Sequence, residues 1–183
     1  MMSEQKTTYG IIGYPLNHTL SPVMHNAAFR EFGVDAVYKP IPLKEEGLDE
    51  FFEELKSDSC PIFGLNVTVP YKEKVIDYLD TLNPLAQTIG AVNTIVIDQD
   101  RKLIGYNTDA PGFTAHLKEL KVETKDQRIA ILGAGGSCRA ILSTLCMIPE
   151  RPEIVRIYNR TPQRTQELLK DLGERFDVSL IEA

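Results

Sequence analysis

Between residues 128 and 140 a strand-like run, Ile129-Ala130-Ile131-Leu132, meets Gly133-Ala134-Gly135-Gly136-Ser137 and then a helix-like stretch through Cys138, Arg139 and Ala140. This order constrains the fold more than any other feature of the chain. A buried strand, a glycine turn and a helix opening directly after it are the parts of a parallel βα unit. Gly133 is expected to permit the tight turn. Gly135 is expected to let the backbone approach a pyrophosphate seated on the helix N-terminus, where unpaired N–H groups and the helix dipole favour an anion. The third position of the usual glycine spacing falls on Cys138, so Cys138 or Ala140 is expected to keep helix and strand close. A tight βα turn with no ligand is the plainer alternative.

The next strand, Ile154 to Tyr158, ends in Asn159-Arg160-Thr161 with no acidic residue. An acid there would bind ribose hydroxyls and repel a 2′-phosphate, whereas a guanidinium forks onto the phosphate. Arg160 with Thr161, helped by Arg164, therefore reads as an NADP(H) site. The cofactor-binding candidates are Gly133, Ala134, Gly135, Gly136 and Ser137 with Asn159, Arg160, Thr161 and Arg164. The alternative for Arg160 is an exposed arginine beside a turn.

Apolar β-branched runs alternate with amphipathic stretches along the rest of the chain, which predicts an α/β protein. Strands are expected at Thr7 to Ile12, Val37 to Ile41, Ile62 to Val69 and Arg128 to Leu132, and a further one begins within Val178 to Ile181. Asn93 to Asp98 and Leu103 to Tyr106 flank the polar stretch Gln99-Asp100-Arg101-Lys102 and read as a hairpin. Helices are expected from Ser21 to about Phe32, with Ser21 as N-cap, Pro22 as first residue and Gly33 as stop. Others are expected at Leu48 to Leu55, with Leu48, Phe51, Phe52 and Leu55 on one face, at Tyr71 to Leu79, at Asp109 or Ala110 to Leu120, after the glycine turn to Met147, and at Pro162 to Leu172. Lys121 to Gln127 reads as a linker.

Composition excludes several function classes. No apolar run is long enough to span a bilayer, and the opening MMSEQKTTYG lacks a secretory leader, so a cytoplasmic protein is expected. The net charge of −6 is spread without a basic stripe, against a nucleic-acid partner. The three cysteines, Cys60, Cys138 and Cys146, have no metal-ligand spacing and read as buried thiols; His18, His25 and His116 form no ligand group, and His25 is expected to pack.

Four short motifs precede the glycine turn: Gly13-Tyr14-Pro15-Leu16-Asn17-His18-Thr19-Leu20-Ser21-Pro22, Asn66-Val67-Thr68-Val69-Pro70-Tyr71-Lys72, Gly90-Ala91-Val92-Asn93-Thr94, and Gly105-Tyr106-Asn107-Thr108-Asp109-Ala110-Pro111-Gly112-Phe113. Taken singly they are bland. Ser21 and Asp109 could cap helices, and Lys72 could be an exposed lysine beside Glu73 and Lys74. In this order they resemble the shikimate dehydrogenase family, over a stretch from Tyr9 to about Leu172. The resemblance implies reduction of 3-dehydroshikimate to shikimate by NADPH, with Lys72 as acid/base and Asp109 as its partner. It also implies that Thr19 and Ser21 grip the substrate carboxylate and that Asn66, Thr68 and Asn93 line the pocket. Thr19 departs from the family's usual serine, keeping the hydroxyl donor but adding a methyl. No metal is required, and Asn107 is expected only to shape its loop.

The expected architecture is a mixed-sheet substrate domain over residues 1–108, a connecting helix and linker over 109–127, and an incomplete Rossmann-type dinucleotide-binding domain over 128–183. A dinucleotide domain of two halves needs on the order of 150 residues, so a truncated chain, poor in catalysis by itself, is expected. Its open sheet edge and uncovered apolar faces would promote association, a homodimer among the forms open to it. Alternatives are a quinate or quinate/shikimate dehydrogenase and a non-catalytic shikimate- or NADP-binding fragment. A methylene-tetrahydrofolate dehydrogenase also pairs a lysine with such a domain, but leaves Thr19, Ser21 and the Asn-Thr-Asp motif unexplained.

Overall fold

A computed structural model describes residues 6–183; residues 1–5, part of the opening segment in which no leader was read, lie outside the described residues. The elements in chain order are β1 (Thr7–Gly13), α1 (Ser21–Glu31), β2 (Ala36–Pro42), α2 (Leu48–Leu55), β3 (Ile62–Val67), β4 (Thr81–Leu82), α3 (Pro84–Ile89), β5 (Thr94–Ile97), β6 (Leu103–Tyr106), α4 (Asp109–Glu119), β7 (Arg128–Leu132), α5 (Gly136–Met147), β8 (Ile154–Tyr158), α6 (Pro162–Gly173) and β9 (Ile181–Glu182). They fall into two compact units. The first runs to Asn83 and takes in Val92–Tyr106; the second comprises Pro84–Ala91 and Asn107–Ala183.

The first unit is built on a six-stranded mixed sheet in the order β2-β1-β3-β5-β6-β4. β1 runs parallel to both β2 and β3, while β3–β5 and β5–β6 are antiparallel, the latter pair being the expected hairpin. Leu48, Phe52 and Leu55 stand at i, i+4 and i+7 of α2 and are all but fully buried, each burial contributing about 1.5–3 kcal/mol. Arg101, expected in a polar turn, is instead buried at φ 60°. Its guanidinium donates from Nε to the Leu55 carbonyl at 2.9 Å and from Nη1 to that of Ile62 at 3.1 Å. It therefore closes the C-terminus of α2 and fixes the start of β3.

The α-helix expected over Tyr71 to Leu79 does not form. A short 3-10 helix, Lys74–Tyr78, occupies its middle. The sheet competes for this segment: Asp80 N–H donates to the Leu103 carbonyl at 3.0 Å, and Thr81–Leu82 pairs parallel with β6. Tyr78 is held at the other side by Asp49 at 2.6 Å and by stacking on Phe52 at 4.5 Å.

In the second unit β7, β8 and β9 form a parallel sheet in that order. β7, α5, β8 and α6 lie within a residue or so of their expected bounds; the last strand is shorter and later than expected, at Ile181–Glu182. The core joins Cys138, Leu142 and Leu145 of α5 to Val155 and Ile157 of β8 and to Leu168 and Leu172 of α6. Cys138 thus fills the small-residue position between helix and sheet. Ala140 clusters instead with Ile89, Ala91 and Ala110. The α3 segment is tied down by cations: Arg175 donates to the Gln87 carbonyl at 2.8 Å and to Asp171 at 3.4 Å, and buried Arg139 also pairs with Asp171.

Candidate functional site

In the first unit the substrate-side candidates gather at one end of the sheet because main-chain bonds sew their loops together. Thr68 N–H donates to the Ile12 carbonyl at 2.9 Å and Tyr14 N–H to the Val69 carbonyl at 3.2 Å, joining the segments that follow β1 and β3. The approach is close enough that a Cβ on Gly13 would lie 2.5 Å from the Thr68 methyl. Val67 N–H donates to the Asn93 carbonyl at 2.8 Å, and Val92 N–H to that of Lys72 at 2.6 Å. The loop bearing Lys72 is therefore fixed beside the one bearing Asn93. Lys72 itself is half-buried, as are Asn66, Thr68 and Asn93.

Thr19 and Ser21 sit where α1 begins, but the expected cap is corrected. Leu20 is the N-cap and Ser21 the first helical residue, with no side-chain cap on α1; Thr19 Oγ1 accepts from the Ser21 N–H at 3.3 Å. The Ser21 hydroxyl is thus not spent on its own helix start. α1 is held to the sheet edge by Asn26, whose amide donates to the Tyr38 carbonyl at 2.8 Å and accepts from the Tyr38 N–H at 2.9 Å. His25 packs, as expected, stacking on Tyr38 at 4.3 Å. Tyr38, which sequence reasoning missed, donates its hydroxyl to Asn66 Oδ1 at 2.6 Å. Burial pushes this phenol up to about 12, and a hydrogen bond from Ser21 only partly offsets that.

Asp109 belongs to the second unit, at the first turn of α4, and is half-buried. Its reading as N-cap is corrected: Thr108 holds that position, and the buried Asn107 supplies the capping oxygen. Asn107 Oδ1 accepts from the N–H groups of Asp109 at 3.1 Å and Ala110 at 3.2 Å, while its Nδ2 donates to the Ala91 carbonyl at 3.0 Å. Asn107 therefore does more than shape a loop.

The dinucleotide-side candidates lie together at the C-terminal ends of adjacent parallel strands, where Leu132 pairs with Tyr158 and Gly133 N–H donates to the Tyr158 carbonyl at 2.8 Å. Gly133 has φ 112°, a conformation that favours glycine. Gly135 is the N-cap of α5 and no side chain caps that helix, whose N-terminal end has the polarity that favours an anion. A Cβ built on Gly133 or Gly135 would meet no atom within 4 Å, so protein crowding does not demand glycine at Gly135 and the space beside it is open. Ala134 and Gly136 are half-buried and Ser137 is exposed at the helix start. Beside them Asn159 Nδ2 donates to the Thr161 carbonyl at 2.7 Å, shaping the turn that leaves Arg160 and Arg164 exposed. No carboxylate stands at the end of β8. The chemistry of this donor set fits a 2′-phosphorylated dinucleotide.

Among the described residues no cluster of three or more His, Cys, Asp or Glu side chains could hold a metal ion, and no helix is long and apolar enough to cross a membrane. The three cysteines are free and buried, and burial pushes the Cys138 thiol up to about 11.

Known proteins resemble this chain over nearly all its length. Residues 11–95 match the shikimate dehydrogenase substrate binding domain. A shikimate dehydrogenase (NADP(+)) of Carboxydothermus hydrogenoformans is 50% identical over 168 residues, covering 92% of this chain and 58% of the relative. The crystal structure of shikimate dehydrogenase from Aquifex aeolicus matches with a TM-score of 0.81 at 39% identity, over 94% of this chain and 63% of that one. That of the Thermus thermophilus enzyme, in complex with NADP(H) and shikimate, matches with a TM-score of 0.76 at 37% identity, over 91% and 60%. The chain spans about 58% of the length of the curated relatives it matches. Residues 11–95 thus match the family's substrate binding domain, and along nearly all its length the chain is similar to shikimate dehydrogenases.

Proposed function

We propose that this chain carries the shikimate-binding and proton-transfer residues, and the dinucleotide turn, of an NADP-dependent shikimate dehydrogenase. The observation that carries the reading is the stitching of Asn66, Thr68, Lys72 and Asn93 into one end of a sheet by the bonds Thr68 to Ile12, Val67 to Asn93 and Val92 to Lys72. In this reading Thr19 and Ser21 hold the carboxylate of a small hydroxylated acid, and Asn66, Thr68 and Asn93 hold its ring hydroxyls. Lys72, as ammonium, donates the proton to the ketone oxygen of 3-dehydroshikimate as it becomes a hydroxyl, and takes it back in the reverse direction. A lysine suits this role because its flexible stem carries an ammonium that can give a proton to a nearby oxygen and take it back. Asp109 is assigned the acceptor role toward a ring hydroxyl. NADPH, when bound, supplies the hydride. Gly133 to Ser137 receive its pyrophosphate, and Arg160, with Thr161 and Arg164, receives the 2′-phosphate. Such a site rejects analogues lacking a hydroxyl because its own polar groups would be left unpaired.

Thr19 is the feature that favours a second reading, quinate as an additional substrate, since its methyl alters the rim of the carboxylate grip. Loss of NADPH absorbance with 3-dehydroshikimate, run beside calorimetric titration with shikimate, tests the function. Turnover supports it, binding without turnover favours a non-catalytic module, and neither overturns it.

A further inference from the structure

A buried phenol stands behind the two asparagines assigned above to the ligand. Tyr38 is only 4% exposed. Its ring is covered by His25 and its main chain is clamped by Asn26. Its hydroxyl donates to Asn66 Oδ1 at 2.6 Å, and the far end of the amide fixes the direction of that bond. Asn66 Nδ2 faces the Asn93 carbonyl at 3.4 Å, a group that can only accept, and also Thr94 Oγ1 at 3.3 Å. Thr94 in turn donates to Asn93 Oδ1 at 3.1 Å. The protons thus run one way, from the phenol to Asn66, to Thr94 and to Asn93. Both carboxamide oxygens are used inside the network.

We propose that Tyr38 is a positioning residue of the ligand site: its hydroxyl fixes the amide orientation of Asn66, and through Thr94 that of Asn93, so that both side chains are held ready for the ligand. This deepens the shikimate reading and rests on it. Tyr38 acts through the asparagines and not by touching the ligand. Its raised pKa keeps the phenol protonated, and so a donor, across the neutral range. A strand position packed under a helix explains the ring; only the hydroxyl's partner explains why it is tyrosine and not phenylalanine.

The test is Tyr38→Phe in the 183-residue chain, which keeps the ring, the His25 stack and the Asn26 clamp and removes one hydroxyl. Two readouts are taken. The side-chain 15N–1H signals of Asn66, identified by their loss in Asn66→Ala, are recorded without ligand and are expected to shift and broaden in Y38F as the amide is released. Shikimate titrated by calorimetry is expected to bind Y38F about tenfold more weakly, the loss of one hydrogen bond, and to show no further loss when Y38F is added to N66A. Unchanged Asn66 signals, or a tenfold loss that persists in the N66A background, overturns the proposal, because a merely structural tyrosine would behave so. If Y38F folds poorly, Thr94→Val cuts the same chain one link further along and carries the same expectation for binding. Failure of the parent chain to bind shikimate would sink the functional reading separately, and the Asn66 signals alone would then decide whether Tyr38 holds the amide.

Discussion

Asn107→Ala removes three hydrogen bonds from the interior of the second unit, and the cost can be worked out bond by bond. Asn107 is 4% exposed, and its oxygen serves two N–H groups at the start of α4. Losing a helix cap of this kind costs about 0.5–2 kcal/mol. Its nitrogen serves the carbonyl of fully buried Ala91, and a buried acceptor left without its donor costs about 1–3 kcal/mol. Together these give a destabilisation of about 1.5–5 kcal/mol. Amide hydrogen exchange resolves the effect by region. A loss of about 3 kcal/mol speeds exchange of the best-protected amides of α4 and α5 by roughly two orders of magnitude. Those in β1 and β3 of the first unit are expected to change far less. Asn107→Ser, which can still cap the helix but is too short to reach Ala91, should recover about 1 kcal/mol of the loss. If Asn107→Ala shifts exchange by less than a factor of two, the capping account is wrong.

Three other expectations concern the site and the acid side of the stability curve. In the complete enzyme, Lys72→Ala should lower turnover of 3-dehydroshikimate by about 10²–10⁴-fold while shikimate binding weakens far less; near-normal turnover removes Lys72 as the acid/base. Arg160→Ala should weaken NADP+ by on the order of 10–100-fold and leave NAD+ almost unchanged, as charge-assisted bonds to the 2′-phosphate are lost; equal losses for both cofactors would place Arg160 elsewhere. At Asp171 burial is the largest single influence and raises the pKa, but bonds from Arg139 and the charges of Arg139 and Arg175 outweigh it and leave the carboxyl below its ordinary value. A folded-state pKa below the unfolded one gives stability that is present above the unfolded pKa and lost as pH falls through the folded one. Melting temperature of the parent should therefore fall across the acidic carboxylate range with a steeper slope than that of Asp171→Asn; identical slopes would remove the linkage.

The elements of the second unit were legible because β-branched runs there are bounded by strong punctuation. Gly133 closes β7, Pro162 opens α6, and the apolar spacing between them leaves one interpretation. The stretch from Tyr71 to Val92 was harder. Tyr71 and Val75 are buried one turn apart and imitate a helix, yet the competing partner is β6, more than twenty residues away, and no local pattern announces it. The signal for α3 was present and unused: Pro84 opens it and Gly90, at φ 73°, follows its last residue, the same punctuation that located α1. Of the site, the short motifs gave the residues but not their supports. Asn107 looked idle and Asp109 looked like a cap, because a capping oxygen two residues further upstream is not distinguishable in sequence. Tyr38 was invisible for a different reason. Its role depends on Asn66 two strands away in the sheet, a neighbour that only the strand order β2-β1-β3 supplies.

Residue-resolved NMR titration of the chain with each ligand alone tests most directly whether the first unit holds the acid and the second the dinucleotide. With shikimate, the signals expected to move are those of Ser21, Asn66, Thr68, Lys72 and Asn93, while Gly133 to Ser137 stay still. With NADP+ the pattern should reverse, moving the glycine turn together with Arg160 and Thr161. Shikimate shifts confined to residues outside those loops, or no saturable shift from either ligand, would contradict it.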